Sequence, residues 1–371
     1  SQTGFSGGIN TLTTNYQEVG IIGIQAQLPS SSYLNHTGGG NIVGQKDNIG
    51  RFTPEIFRMY NQRVESACPS MTYFGQPLKE LKFDIRAEFD DSGTRKTLQN
   101  YFGDYAKAEI RFFIENEDPA YYKSANDLAS RFSLTNAHLE TDFTSVVSWK
   151  NGIYSVDVSA IAGVDALLNR DVTALSTMSS DPSLPMNSLI PMIQLVDNEV
   201  SAAYRAVLDE LDQAANSNIN TTSDSKAIGG PLEMRFGRLR VEDNYGSEFE
   251  ELLIPIRVEY WDGVNFIVNR LDNCSSYNES RLVVEDNQAV TNGPGDNFTA
   301  GVYPPGKGLF LMPPAPVEQR SYTIDYVSPE PWLRYDWNND GDFNDPNDNP
   351  SGVLQFGRFR GNDRVIYWRE N

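Results

Sequence analysis

Leu81-Lys82-Phe83-Asp84-Ile85-Arg86-Ala87 alternates apolar and charged residues without a break. In an extended chain, successive side chains point to opposite faces. The run therefore gathers Leu81, Phe83, Ile85 and Ala87 on one face and leaves Lys82, Asp84 and Arg86 to water. It reads as a half-buried strand. Beyond it, Asp90-Asp91-Ser92-Gly93 reads as a tight turn, and Ala108-Glu109-Ile110-Arg111-Phe112-Phe113-Ile114 as a further strand. From Phe74 to Glu115 turn signals recur about every ten residues, the spacing of an immunoglobulin-like sandwich meander.

The same pattern extends both ways along the chain. Residues 1–28 read as strands, Val19 to Leu28 being apolar and partly β-branched, and Pro29 to Asn48 is a loop rich in Ser, Gly and Asn. The glycines from Gly38 to Gly44 miss the spacing of a dinucleotide fingerprint, and no helical pattern follows them. Residues 116–130 read as a loop with a short helical turn. Strands resume over Phe132 to Thr144 and Trp149 to Ser159, around the hairpin signal Lys150-Asn151-Gly152. Leu232 to Val241 and Leu252 to Tyr260 alternate, and Trp261-Asp262-Gly263-Val264-Asn265-Phe266 is a tight hairpin. Past a Gly/Pro-rich stretch, strands follow at Gly308–Met312 and Tyr322–Val327.

Between Ala160 and Asn220 the composition changes. Pro182, Pro185 and Pro191 interrupt regular structure. Then Val200, Ala203, Tyr204, Val207, Leu208, Leu211 and Ala215 recur at helical spacing, with Asp197 as cap and Glu199 in the first turn. Ser217 to Gly230 reads as a linker or long loop. The expected fold is mainly β, in two or three immunoglobulin-like β-sandwich units with one inserted amphipathic helix. The expected units are 1–115, 116–225 with the helix over 197–215, and 226–371. Phe236-Gly237-Arg238-Leu239-Arg240 and Phe356-Gly357-Arg358-Phe359-Arg360 echo each other, with a fainter echo at Gly50-Arg51-Phe52. Each reads as a strand with Phe in the core and Arg on the solvent face.

Near the C-terminus, Asp336, Asn338 and Asp340 occupy positions 1, 3 and 5 of a calcium-type loop, and Gly341 position 6. A hard cation collects six to eight oxygens, which short alternate side chains on a tight loop supply. Asp342 would add its backbone carbonyl and Asn344 a side chain or a bridging water. Position 12 is Asn347 rather than Glu, so Asp345 or Asp348 would stand in. The alternative is a solvated turn that binds nothing.

The formal charge of −20 argues against nucleic acid or an anionic membrane surface as partner. No apolar run is long enough to span a bilayer. The chain starts at Ser1 without an initiator Met, as expected of a processed chain or of the C-terminal part of a longer one. With two histidines, His36 and His138, and no HExxH, CxxC, GxSxG or phosphate loop, no catalytic residue is indicated.

Several segments together carry a family resemblance. They are Gly50-Arg51-Phe52-Thr53-Pro54, Phe74-Gly75-Gln76-Pro77, Asn100-Tyr101-Phe102-Gly103-Asp104-Tyr105-Ala106-Lys107, Phe236 to Arg240 and Tyr260-Trp261-Asp262-Gly263 followed by Cys274. Trp332-Leu333, Asp336-Trp337, Phe356-Gly357, Arg360-Gly361 and the closing Ile366-Tyr367-Trp368-Arg369-Glu370 complete the set. In order and over nearly the whole chain, this resembles the MshQ-like proteins encoded with the mannose-sensitive haemagglutinin (MSHA) type IV pilus of Gram-negative bacteria. The resemblance implies an extracellular or cell-surface, pilus-associated protein with pilus subunits or other surface proteins as partners. It supports neither the calcium-type loop nor the helix near residue 200. Cys68 and Cys274 are the two cysteines of the chain. They are either two buried thiols or one disulfide, and a surface context favours the disulfide. The expected function is a non-enzymatic structural or adhesive component stabilised by calcium. The alternative is a calcium-assisted, lectin-like module that binds cell-surface glycans through an exposed aromatic such as Trp337. Trp149, Trp261, Trp332 and Trp368 read as core.

Overall fold

Strand β5 (Glu80–Asp91) buries Leu81, Phe83, Ile85 and Ala87 almost completely, as the alternation requires. In the computed structural model it is the centre of a sheet. Strand β3 (Ile56–Glu65) pairs along one edge, and β6 (Thr94–Thr97) and β9 (Ile153–Asp157) pair along the other. The structure describes residues 11–28, 42–116, 132–133, 148–158, 165–170, 185–206, 208, 225–291, 295–338 and 346–357. These are mainly β, in several sheets, and no α-helix occurs among them.

The expected turns form as read. Asp91 pairs with Thr94 across Ser92 and Gly93, both at positive φ, and the Gly93 amide donates to the Asp90 side chain at 2.6 Å. Lys150 bridges Ile153 across Asn151 and Gly152, again with positive φ at both. This is the conformation that suits Asn-Gly to a two-residue hairpin. Trp261 pairs with Phe266, and the Asp262 carboxylate accepts from the amides of Val264 and Asn265 at 2.8 and 2.7 Å.

A second sheet is built around β11 (Met186–Asp197). Along one edge it carries β7 (Ala108–Asn116); along the other it carries β12 (Ser225–Ala227) and then β13 (Leu232–Arg235). Strand β4 (Thr72–Tyr73) runs parallel to β13. A short β8 (Phe132–Ser133) pairs with β10 (Leu167–Leu168). Pro191 was expected to interrupt regular structure, but it lies mid-strand in β11. Its carbonyl accepts from Ile228 at 2.8 Å, on the side where β13 stops at Leu189 and β12 starts at Met192. The missing N–H falls in that gap, so no ladder bond is lost. Ser225–Ala227 is likewise strand rather than linker, and Ile42–Phe52 is strand rather than loop.

The helix expected from Asp197 does not form over the described residues. Asp197 ends β11, and only a single 3-10 turn, Ala202–Tyr204, follows. Its buried carboxylate closes a loop instead, accepting from the amides of Glu199 at 3.2 Å and Ala206 at 2.9 Å. Val200 is 98% exposed, while Ala206 and Leu208, two residues apart, are both buried. Leu208 bridges Phe57 in parallel. Residues 207 and 209–215 of that expectation lie outside the described residues, as do Pro182, His36, His138 and Trp368.

The remaining strands surround a second core. β14 (Gly237–Val241), β17 (Ile256–Trp261) and β18 (Phe266–Val268) form one sheet. β15 (Asn244–Gly246), β25 (Ser351–Phe356), β24 (Arg320–Tyr326) and β20 (Leu282–Val284) form another. β16 (Leu252–Leu253), β23 (Phe310–Leu311) and β21 (Val290–Thr291) form a third, and β19 (Ser276–Tyr277) pairs with β22 (Asp296–Asn297). One apolar cluster gathers Phe57, Phe83, Ile85, Tyr101, Trp149, Tyr154, Ile193 and Phe236. The other gathers Leu239, Ile254, Val258, Leu311, Tyr322, Ile324 and Leu354.

Two hairpin glycines give a graded test of this fold. A Cβ on Gly152 would stand 2.2 Å from the Leu98 carbonyl oxygen, whereas one on Gly93 meets nothing within 4 Å. Both have positive φ. Gly93→Ala is expected to cost about 1 kcal/mol, from backbone strain alone. Gly152→Ala is expected to cost at least about 3 kcal/mol, because backbone must also move. Urea denaturation of the two variants measures the difference.

Candidate functional site

The run from Leu232 to Val241 reads as one strand, but Phe236 divides it. β13 belongs to the sheet of β11, and β14 belongs to the sheet of β17. The chain passes from one core to the other without a spacer. Phe236 packs in the first core and Leu239 in the second. The same crossing recurs at Tyr73 and Phe74. Adjacent strand residues face opposite ways, so Tyr73 enters the second core and Phe74 the first. It recurs again where Leu333 lies in the second core and Tyr335 in the first. Three segments, around residues 73, 236 and 334, thus form a common seam.

Gly237 permits their close approach. A Cβ there would come within 2.5 Å of the Tyr73 ring and 2.9 Å of Leu333. At the centre lies the buried guanidinium of Arg170. It donates to the carbonyls of Phe74 at 3.4 Å and Gly237 at 2.7 Å, and to those of Trp332 and Arg334. Its charged carbon sits 4.6 Å from the centre of the Phe236 ring. Burial, aided by the positive Arg334, pulls its pKa down to about 9. It therefore stays charged at neutral pH, held by carbonyl dipoles and a ring face.

Beside it runs a buried polar chain. The Tyr73 hydroxyl donates to Asp272 at 2.7 Å and accepts from Asn269, whose side-chain oxygen accepts from Arg235. Burial first, and then the Asp272 charge, raise Tyr73 well above the usual phenol range, so it remains a donor. The other Asp272 oxygen accepts from the amides of Cys274 at 3.0 Å and Ser275 at 2.9 Å. That turn fixes Cys274 opposite Cys68, and the two are joined as a disulfide with Cα atoms 5.4 Å apart. The two sulfurs and the Asp272 carboxylate lie within 4.8 Å of one another, a spacing that would suit a metal. With both sulfurs bonded to each other, the carboxylate serves as the turn's acceptor instead.

Arg238 corrects the sequence reading of the Phe-Gly-Arg echo. It is buried rather than on the solvent face. It pairs with Glu259 at 2.7 Å and lies over the rings of Phe266, Tyr335 and Trp337 at 3.7, 4.9 and 4.7 Å. Glu259 faces it directly across the β14–β17 ladder and is itself wholly buried, which draws the arginine inward. Trp337 is partly buried against Tyr335, its ring under Arg238. Trp149 is in the first core; Trp261 and Trp332 pack against the first and second cores.

Of the calcium-type loop, Asp336 is buried and Asn338 exposed; Asp340, Asp342, Asn344 and Asp345 lie outside the described residues. Asp348 is buried too, and its side chain accepts from the amides of Trp337 at 3.0 Å and Asn338 at 3.4 Å. It thereby ties the far end of the loop to its start. Arg170, Asn269 and Asp272 carry no sequence signature of their own. Only Asp272, two residues before a cysteine, sits where Asx turns form.

The seam defines a mainly β protein of two domains joined through their cores. The chain belongs to the DUF6701 family: residues 18–233 match "DUF6701, third domain" and residues 235–371 match "DUF6701, fourth domain". The two matches meet where β13 gives way to β14. Neither names MshQ-like proteins or the MSHA pilus. No curated protein matches this chain. Among solved structures, a chimeric titin Z1Z2-Z1Z2 tandem functionalised with a GRGDS exogenous peptide from fibronectin is similar at 9% identity. The similarity covers 80% of this chain and 96% of that one at a TM-score of 0.14, too low to bear on the fold.

The seam yields a stability test. Arg170→Met strands four carbonyls, two buried and two partly buried, and is expected to cost about 3–5 kcal/mol. Arg170→Lys should not recover it, since one ammonium cannot reproduce the planar fork. Replacing Cys68 and Cys274 together by Ser should cost about 5 kcal/mol, the chain-entropy value for a loop of this length. Chemical denaturation measures all three.

Proposed function

We propose that this chain is a non-enzymatic structural or adhesive module of a bacterial surface appendage of the MSHA type, working outside the cell. The observation that carries the reading is the seam. A disulfide, a buried guanidinium and a buried polar chain bind the two domains into one unit. Such a unit suits holding a shape rather than opening and closing around a substrate. A disulfide fits an oxidising compartment. No helix among the described residues is long and apolar enough to cross a membrane. The two cores, each bounded by mainly antiparallel sheets, support an immunoglobulin-like sandwich reading for each. The proposed partners are pilus subunits or other surface proteins. Removing the gene from a piliated bacterium should abolish adhesion or pili; unchanged pili with unchanged adhesion would overturn the assignment.

Calcium belongs to the same reading. The residues fit a hard cation: carboxylates and amides at alternate positions, and buried Asp336 and Asp348 at the two ends of the segment. A cation there would neutralise the clustered carboxylates and hold together the strands that the loop joins. Lacking the position-12 Glu, the site is expected to bind with a Kd on the order of 10⁻⁴–10⁻³ M. Millimolar calcium should raise the melting temperature, and Asp340→Ala should remove that rise while preserving the circular dichroism spectrum. A wild-type melting curve indifferent to chelation would leave the segment a plain turn.

The lectin-like alternative has one specific support. Tyr245 and Phe249 are 60% and 72% exposed on the acid-rich stretch from Tyr245 to Glu251, the kind of surface on which a sugar ring stacks. Binding to a glycan array that Tyr245→Ala and Phe249→Ala abolish would favour it.

A further inference from the structure

Strand β1 (Gly20–Leu28) pairs with β2 (Ile42–Phe52), and the two form a ribbon whose outer edges meet no other strand among the described residues. Away from its root both faces are exposed; Ile21, Ile24 and Val43 are 48, 43 and 48% exposed. A lone two-stranded ribbon is marginal in water, and long uncapped edges invite further strands. The root, by contrast, is fixed. Arg51 forms a bidentate pair with buried Glu199, at 2.8 Å to each oxygen from Nε. The Glu18 carboxylate accepts from the amides of Gln99 and Asn100, both at 3.0 Å. A firmly anchored ribbon is thus held out from the body with its apolar side chains unburied.

We propose that this ribbon is a self-association surface, through which two copies of the chain pair β1 against β1, antiparallel, across a two-fold axis. Charge selects the occupant. The chain carries −20, yet Gly20–Leu28 contains no charged residue, while β2 carries Lys46, Asp47 and Arg51. Two strongly acidic copies repel except along an uncharged edge, and β1 is such an edge on both. The pairing is self-complementary: antiparallel register about Ile24 sets Ile24 opposite Ile24 and Ile22 opposite Ala26, joining two half-apolar faces. The contact is small, nine residues of β1 on each side against the about 20–30 a side of stable interfaces, so the dimer is a weak one. The proposal does not depend on assignment to a surface appendage.

Sedimentation velocity over a concentration series tests it. The wild-type chain should dimerise with a Kd below about 100 μM. Ile24→Glu faces Lys46 within its own ribbon, so it should fold with an unchanged melting temperature. It sets like charges across the two-fold and should weaken association about a hundredfold or more. Mixing equal amounts of Ile24→Glu and Ile24→Lys should restore the dimer. A wild type that stays monomeric throughout, an Ile24→Glu chain that dimerises as well as the wild type, or a mixture that stays monomeric would each overturn the pairing.

Discussion

A guanidinium removed from water must find its solvation inside the protein, and Arg170 finds it in the carbonyls of three segments distant in sequence. Such a group tolerates little displacement, because each carbonyl left behind would be a buried acceptor without a donor. The arginine therefore fixes how Phe74, Gly237 and Trp332 lie relative to one another. The close packing at Gly237, the opposed facing of Tyr73 and Phe74, and the direct passage from β13 to β14 bring those carbonyls within its reach. The two cores have to be built together around that charge.

What the sequence displays well is whatever obeys a short period. The alternation from Leu81 to Ala87 locates the centre of a sheet, and Asn151-Gly152 and Asp262-Gly263 locate hairpins. Of the two states the sequence leaves open for Cys68 and Cys274, thiols or a disulfide, the structure has the disulfide. The failures share a cause. The apolar spacing after Asp197 suits a helix, but one buried carboxylate capping two amides, and Leu208 bridging Phe57, hold the backbone extended. Arg238 reads as a solvent-facing residue because its partner Glu259 is 21 residues away. Tertiary contacts override the local pattern in both cases, a capping carboxylate and a backbone bridge in one and a buried ion pair in the other, and a single sequence does not reveal them.

About half of the segments that carried the family resemblance fall on the seam: Phe74-Gly75, Phe236-Gly237-Arg238, Cys274, Trp332-Leu333 and Trp337. They are scattered along the chain and converge in space. The acidic loop leaves the seam directly from Asp336, so a cation bound there would stiffen a segment that already touches both cores.

The sulfur bridge has a mechanical consequence. It links positions 206 residues apart, one in each domain. Tension on the chain ends would run from the N-terminal side through the bridge and out to the C-terminal side. The intervening segment, about 700 Å long if drawn out, would lie off that path. A chain loaded in this way would yield only by the slack outside the bridge. Most of its folded mass would be sheltered from the load.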